Sequence, residues 1–273
     1  MAITLGPLVL SLPRLFLLAG IVVGLLMVHG MQRRDGLHRE GLLWLALLAG
    51  FVVARLVYVA LHFEHFAAHP LEILTVWQGG FEPFSGAAAT LLAAFLLARQ
   101  RMFAARKMLA PVLAGLLVWG TSTWIAGALH ASQHQTLPDL ALQTLEGEPV
   151  MLSTYLGRPL VVNVWATWCP PCRREMPVLA AGARANPALD FVFLNQGEAS
   201  ETVRAYLASE NLELSHVLLD VFSRSGVEAG VRGLPTTLFF DAEGRLVDTH
   251  TGEMSAPRLA EKMKRLRRVN SDE

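Results

Sequence analysis

The stretch Val162-Asn163-Val164-Trp165-Ala166-Thr167-Trp168-Cys169-Pro170-Pro171-Cys172-Arg173-Arg174-Glu175-Met176-Pro177 decides how half of this chain folds. Extended back to Pro159, its first part is apolar and β-branched, as a central strand is, and Arg173 to Ala185 has helical composition. The junction between them carries Cys169 and Cys172, the only cysteines in 273 residues. At a helix N-terminus, free backbone N–H groups and the positive end of the helix dipole stabilise a thiolate, lowering its pKa from ~8.5 to roughly 3.5–7.5 in such motifs. Cys169 is therefore expected as the nucleophile, and Cys172, one turn on and more buried, as the resolving thiol. A structural zinc site needs four ligands, but there is no second cysteine pair and no histidine between Asn163 and Ser215. The reading is a redox-active Cys169–Cys172 disulfide with no metal and no cofactor; an inert structural disulfide is the alternative.

Composition divides the chain. With 53% hydrophobic and 17% charged residues it leans toward a membrane protein, and the excess is concentrated in residues 1–130. Four apolar runs, about 8–28, 41–61, 83–98 and 108–128, are candidate spans against the roughly 20 residues needed to cross a bilayer. Residues 131–137 read as a polar linker and 138–273 as an ordinary soluble domain. Met1 to Pro7 carries no Lys or Arg, and no small-x-small site follows the first run, so that run is expected to stay in the mature protein. The segment His29–Glu40 holds Arg33, Arg34 and Arg39, and Arg99–Lys107 holds Arg99, Arg101, Arg106 and Lys107, whereas His62–Glu82 has no Lys or Arg. By the positive-inside bias the first two face the cytoplasm. Four crossings then put the cysteine-bearing domain outside, in a bacterial periplasm. Zero net charge gives no sign of nucleic-acid binding, and the basic residues Lys262 to Arg268 read as the exposed face of a terminal helix.

From Pro138 the pattern is strand-rich, then βαβ, then a hairpin and a last helix. Strands are expected at Leu140–Leu142, Val150–Leu152, Leu160–Trp165, Asp190–Asn195, Ser215–Leu219, Thr236–Asp241 and Arg245–His250. Helices are expected at about 172–185, 200–210, 222–229 and 256–267. The expected fold is a multi-span α-helical membrane domain followed by an α/β domain, a mixed sheet flanked by helices.

The strand-to-helix run, together with Gly233-Leu234-Pro235-Thr236-Thr237, resembles the membrane-anchored TlpA/ResA branch of thioredoxins over about Leu137 to Leu266. The resemblance implies a thioredoxin-like fold and disulfide exchange. Pro235 matches the family's cis-proline, leaving the backbone at Leu234 free to pair with a substrate strand, and Leu234 and Trp168 become the expected substrate contacts. Asn163 stands where cytosolic thioredoxin has its buried acid, and Glu175 stands where this branch carries a functional acid. A partly buried Glu175 near Cys172 that helps deprotonate it needs a raised pKa; the alternative is a first-turn glutamate stabilising the helix N-terminus.

In the membrane half, Ala54-Arg55-Leu56-Val57-Tyr58-Val59 and His69-Pro70-Leu71-Glu72-Ile73-Leu74-Thr75-Val76-Trp77-Gln78-Gly79-Gly80 resemble prolipoprotein diacylglyceryl transferase. That family continues into a Phe-His-Gly-Gly segment with a functional histidine; here the chain reads Phe81-Glu82-Pro83-Phe84-Ser85-Gly86. A truncated, non-transferring scaffold is expected. Arg55 inside a span needs a partner, with lipid head groups and Glu72 as candidates and helix packing as the alternative. His62, His65 and His69 would share a helix face, read as interfacial rather than metal-binding.

The leading expectation is a membrane-anchored periplasmic thiol–disulfide oxidoreductase of the inner membrane, a reductase by resemblance, acting on a disulfide-bearing client such as a cytochrome or copper-enzyme maturation factor. Residues 1–130 lack cysteine, so a membrane thiol reductant conductor is expected as recycler. The rival readings are a lipid-transferase-like or lipid-binding membrane protein with an appended redox domain, and a copper metallochaperone using both thiolates.

Overall fold

The computed structural model describes residues 2–5, 8–35, 40–68, 70–76, 80–99, 105–131, 136–224, 230–231 and 233–271. The chain divides into two units, Leu10–Ser132 and Gln133–Glu273 together with Met1–Val9. At the N-terminus β1 (Ala2–Leu5) and β2 (Leu8–Ser11) form a two-stranded sheet.

The first unit contains α1 (Leu12–Asp35), α2 (Glu40–Leu61), the short α3 (Phe63–Ala68), α4 (Pro83–Arg99) and α5 (Ala105–Ala131). The first apolar run was expected to begin as a span at about residue 8, but Leu8–Ser11 is strand and α1 begins at Leu12, with Pro13 in the first turn where a missing N–H costs nothing. Two helix pairs come close at glycines, where the missing side chain leaves the room. A Cβ on Gly50 of α2 would lie 1.9 Å from Thr90 Oγ1 and 2.7 Å from the Gly86 carbonyl of α4, and one on Gly20 of α1 would lie 2.5 Å from the Gly115 carbonyl of α5. Among the described residues one helix, Gly41–Leu61, is long and apolar enough to cross a membrane, with mean hydropathy 2.3. The apolar parts of the other three, Leu15–Met31, Pro83–Leu97 and Leu109–Ile125, are shorter. Leu45, Leu48, Phe51, Val52 and Leu56 of α2 are exposed, an apolar face that water disfavours and hydrocarbon does not.

The second unit is a seven-stranded mixed sheet of β3 (Ala141–Thr144), β4 (Pro149–Met151), β5 (Leu160–Trp165), β6 (Asp190–Gln196), β7 (Val217–Asp220), β8 (Thr236–Phe240) and β9 (Leu246–Thr251), in the order β4-β3-β7-β6-β5-β8-β9. Strands β5, β6 and β7 are parallel, and the other pairings are antiparallel. Buried on both faces, β5 has no polar side: Leu160, Val162 and Val164 join one core with Val192, Leu194, Leu238 and Phe240. Val161 and Trp165 join the other, with Phe191, Phe193 and Phe239. That second core is roofed by α6 (Pro170–Ala185), α7 (Ser200–Ser209) and α8 (Ala256–Ser271) through Met176, Leu179, Val203, Leu259 and Leu266. A helix was expected over 222–229. Val221 and Phe222 form a turn, Arg224 is helical, and residues 225–229 lie outside those described, as do residues 132–135 of the expected linker.

Candidate active site

Three parallel strands end on the same edge of the sheet, and the site begins where β5 does. Cys169 is the N-cap of α6, with backbone angles of −93° and 105°. The two prolines that follow shape the electrostatics. A helix start normally offers four unpaired N–H groups, but Pro170 and Pro171 have none, and the Arg173 N–H bonds the Cys169 carbonyl at 3.1 Å. The Cys172 N–H is the donor left for the Cys169 sulfur, and it reaches it at 3.3 Å. Sequence reasoning counted several free donors here; the prolines reduce them to one. Cys169 and Cys172 are joined in a disulfide with Cα atoms 5.3 Å apart, and both residues are buried, Cys172 completely.

Glu175 lies one turn beyond Cys172 on the same inward face of α6 and is fully buried, where partial burial was expected. The residue that meets it is set by strand alternation. Asn163 points to the α6 side of β5, as Val161 and Trp165 do, and is paired in register with Thr237 of β8. Its amide nitrogen donates to Glu175 Oε1 at 2.7 Å and to Thr237 Oγ1 at 3.1 Å. The Met254 backbone N–H, just ahead of α8, donates to Glu175 Oε2 at 2.7 Å. These two donors favour the carboxylate, but loss of solvent outweighs them and pushes the Glu175 pKa up to about 8, with neighbouring Glu253 adding to the rise. The carboxyl is therefore largely protonated at neutral pH.

The Leu234–Pro235 bond is cis. Because Thr236 pairs with Val164, Pro235 falls level with Trp165, at the entrance to the loop that carries Cys169. Leu234 packs against the core cluster that contains both cysteines. Trp168 is 67% exposed beside the disulfide. Sequence reasoning missed Glu198, which follows β6 as Thr167 follows β5. Its carboxylate accepts from the Thr167 N–H at 2.7 Å, the Thr167 hydroxyl at 2.5 Å and Asn195 Nδ2 at 2.7 Å, fixing the loop before Trp168. The available signal was an acid at the carboxyl end of a strand expected to neighbour β5.

In the first unit, Arg55 is buried and donates to the backbone carbonyls of Ile73 (3.1 Å), Glu72 (2.8 Å) and Gly80 (2.8 Å), with its guanidinium within 5.4–6.0 Å of the Phe66, Phe81 and Tyr58 ring centroids. It thus reaches Glu72 through the main chain, while the Glu72 carboxylate meets His65 Nε2 at 2.7 Å. Gly80 has φ of +77°, and a Cβ there would lie 2.6 Å from Tyr58 and 2.7 Å from the Arg55 guanidinium. Where the resembling family has its histidine segment, Glu82 caps α4, its carboxylate accepting the Ser85 and Phe84 N–H groups at 2.5 and 3.2 Å. His62 bonds the Tyr58 carbonyl at 3.0 Å, and His69 lies outside the described residues. Among the described residues no three His, Cys, Asp or Glu side chains cluster as a metal site would need.

A disulfide at a strand-to-helix junction of a mixed sheet, with a cis-proline level with the end of that strand and helices over the sheet, defines a thioredoxin-fold dithiol protein. The Redoxin family matches residues 132–264, and the prolipoprotein diacylglyceryl transferase family matches residues 1–137. The chain is 32% identical to thioredoxin-like protein YneN of Bacillus subtilis, over 58% of this chain and 97% of that one. It is 31% identical to thiol-disulfide oxidoreductase ResA of the same organism, over 48% and 73%, and 28% identical to ResA of Halalkalibacterium halodurans, over 60% and 94%. The chain belongs to the thioredoxin-like thiol–disulfide oxidoreductases, and through residues 1–137 to the prolipoprotein diacylglyceryl transferase family. It is an enzyme of thiol–disulfide exchange, associated with a membrane through its first half.

Proposed function

We propose that the protein is a membrane-anchored protein-disulfide reductase whose reactive groups are Cys169 and Cys172, with Glu175 as proton carrier. The observation that carries this reading is the Cys169–Cys172 disulfide at the start of α6 with a fully buried Glu175 one turn behind it. In the reduced enzyme the Cys169 thiolate attacks one sulfur of a client disulfide. The client S–S bond breaks, a mixed disulfide forms, and the first client thiolate leaves. Through the ionised form of Glu175, the minor one at neutral pH, Cys172 then gives its proton to the carboxylate and attacks Cys169 Sγ, which breaks the mixed disulfide and releases the second client thiolate. The client gains two electrons, and the enzyme is left oxidised with Glu175 protonated, the form favoured below about pH 8. A dithiol recycler reverses these steps, and Glu175 returns the proton to Cys172. In this scheme Trp168, Leu234 and Pro235 hold the client segment.

The four apolar helices are proposed to anchor the chain in a bacterial inner membrane as four crossings, the first beginning at Leu12 and the others at about 41–61, 83–98 and 108–128, with the redox domain on the periplasmic side, since the loop arginines and lysine flank only alternate connections. Residues 1–130 would then be the membrane domain and 138–273 the redox domain. With no cysteine in residues 1–130, electrons come from a separate membrane thiol reductant conductor, which the shared bilayer keeps at high effective concentration. A Cys172→Ala variant expressed in cells tests the scheme. It should accumulate client or recycler as a mixed disulfide on Cys169, visible on non-reducing gels and absent from the Cys169→Ser, Cys172→Ala double variant. Equal yields of adduct from the two variants would refute the assignment.

A further inference from the structure

Besides Trp168, a second large apolar side chain stands in solvent on the edge where the disulfide lies. Phe222 is 82% exposed and neighbouring Val221 44% exposed. They follow β7 as Trp168 follows β5, and with β6 between them the two turns are two strand spacings apart, about 10 Å.

The turn that carries Phe222 is bonded into place. The Asp220 carbonyl accepts the N–H groups of Ser223 at 3.0 Å and Gly197 at 2.9 Å. The buried Asp220 carboxylate accepts the Arg224 N–H at 2.9 Å. Ser223 is held at φ of +54°, a left-handed conformation that non-glycine residues rarely adopt. Gly197 packs so closely on this turn that a Cβ would sit 3.1 Å from Ser223 Oγ. Gly197 is joined to Glu198, which bonds Thr167 in the loop before Trp168. The three strand-end turns thus form one hydrogen-bonded ridge, with the disulfide at one end and Phe222 at the other.

We propose that this ridge is the specificity surface for the client, and that Phe222 receives a bulky apolar side chain lying about three residues from the client's reactive cysteine. The inference rests on the exchange reaction proposed above. A client whose disulfide meets Cys169 must cover this edge, so the Phe222 patch continues a surface the reaction already requires. An extended segment advances about 3.3 Å per residue, so about three residues span the ~10 Å between the turn after β5 and the turn that carries Phe222.

The test uses the full-length chain in detergent, reduced and mixed with two symmetric disulfide-linked peptides. One has Phe three residues on either side of its cysteine; the other has Ser at both places. The second-order rate constant for release of peptide thiol is measured in a single turnover, with oxidised glutathione as a substrate too small to reach Phe222. The native chain should favour the Phe peptide about tenfold, the effect of partly burying one aromatic side chain. Phe222→Ser should erase that preference while leaving the rates with the Ser peptide and glutathione unchanged, and Phe222→Leu should keep most of it. A native chain with no preference, or a Phe222→Ser variant that retains it, overturns the proposal. So does a variant that changes only sedimentation or vesicle binding, which would assign Phe222 to a second copy or to lipid. If the native chain reduces neither peptide nor glutathione, the reductase reading itself has failed.

Discussion

Replacing Glu175 by Gln measures what burial of that carboxyl costs the fold. In the oxidised protein the cysteines do not titrate, and the pKa of Glu175 stands at about 8 against an ordinary value of 4.5. A carboxyl whose pKa is raised by folding is held more tightly as the acid in the native state than in the unfolded chain. Its effect on stability is therefore neutral below about pH 4.5, grows unfavourable as pH rises, and levels off once the folded group ionises above about pH 8. At about 1.4 kcal/mol per pH unit, the cost reaches roughly 3 kcal/mol at pH 7 and about 5 kcal/mol above pH 8. Glutamine avoids this cost but has another. Both oxygens of Glu175 accept hydrogen bonds, from Asn163 and from the Met254 N–H, so the glutamine amide must face one donor, at about 1–3 kcal/mol independent of pH. The variant should be less stable than the native chain at pH 5 and more stable at pH 8, with the curves crossing between. Amide hydrogen exchange of Val161 to Val164 in the oxidised, detergent-solubilised full chain reads this, because at each pH the two proteins share the same intrinsic exchange rates. A stability difference that stays flat from pH 5 to pH 8 would show the carboxylate to be ionised in the fold, and the proton-carrier role would fall with it.

Two further substitutions probe the membrane half. Gly50→Leu drives a side chain into Thr90 and the Gly86 carbonyl; it should cost about 1–3 kcal/mol of packing and lower the melting temperature in detergent without altering disulfide exchange by the native dithiol. Arg55→Lys replaces a planar fork bonded to three carbonyls with a single ammonium. It should strand at least one buried carbonyl, at about 1–3 kcal/mol, and make the chain near Glu72 and Thr75 cleavable by protease where the native protein resists.

Much of the redox half was legible because its signals are local. The apolar run of β5 has no polar alternation, as a strand covered on both faces requires, and Pro170-Pro171 begin a helix at a position where proline fits. Gly244, with φ of +80°, marks the hairpin between β8 and β9. Partners distant in sequence were not legible. Asn163 reads as a residue unable to titrate, yet its use as a donor to Glu175 depends on which helix covers its face of the sheet. Met254 offers a main-chain N–H that no side-chain pattern marks. Glu198 and Phe222 gain their places because β6 and β7 end on the same edge as β5, a fact of strand order. In the membrane half the apolar runs marked the helices, but the close approach at Gly50 and the backbone cage around Arg55 depend on which helices and loops pack together.

The amino-acid sequence by itself determined that a single cysteine pair begins a helix at the end of a buried strand, that a Leu-Pro segment precedes another strand, and that an apolar half precedes the redox domain. These follow from composition, periodicity and the backbone limits of proline, which act over a few residues. Tertiary structure decided the protonation of Glu175 and the ridge that joins the disulfide to Phe222. Desolvation is a property of everything packed around a group, and strand order brings together turns far apart along the chain; neither is written in any one stretch of it.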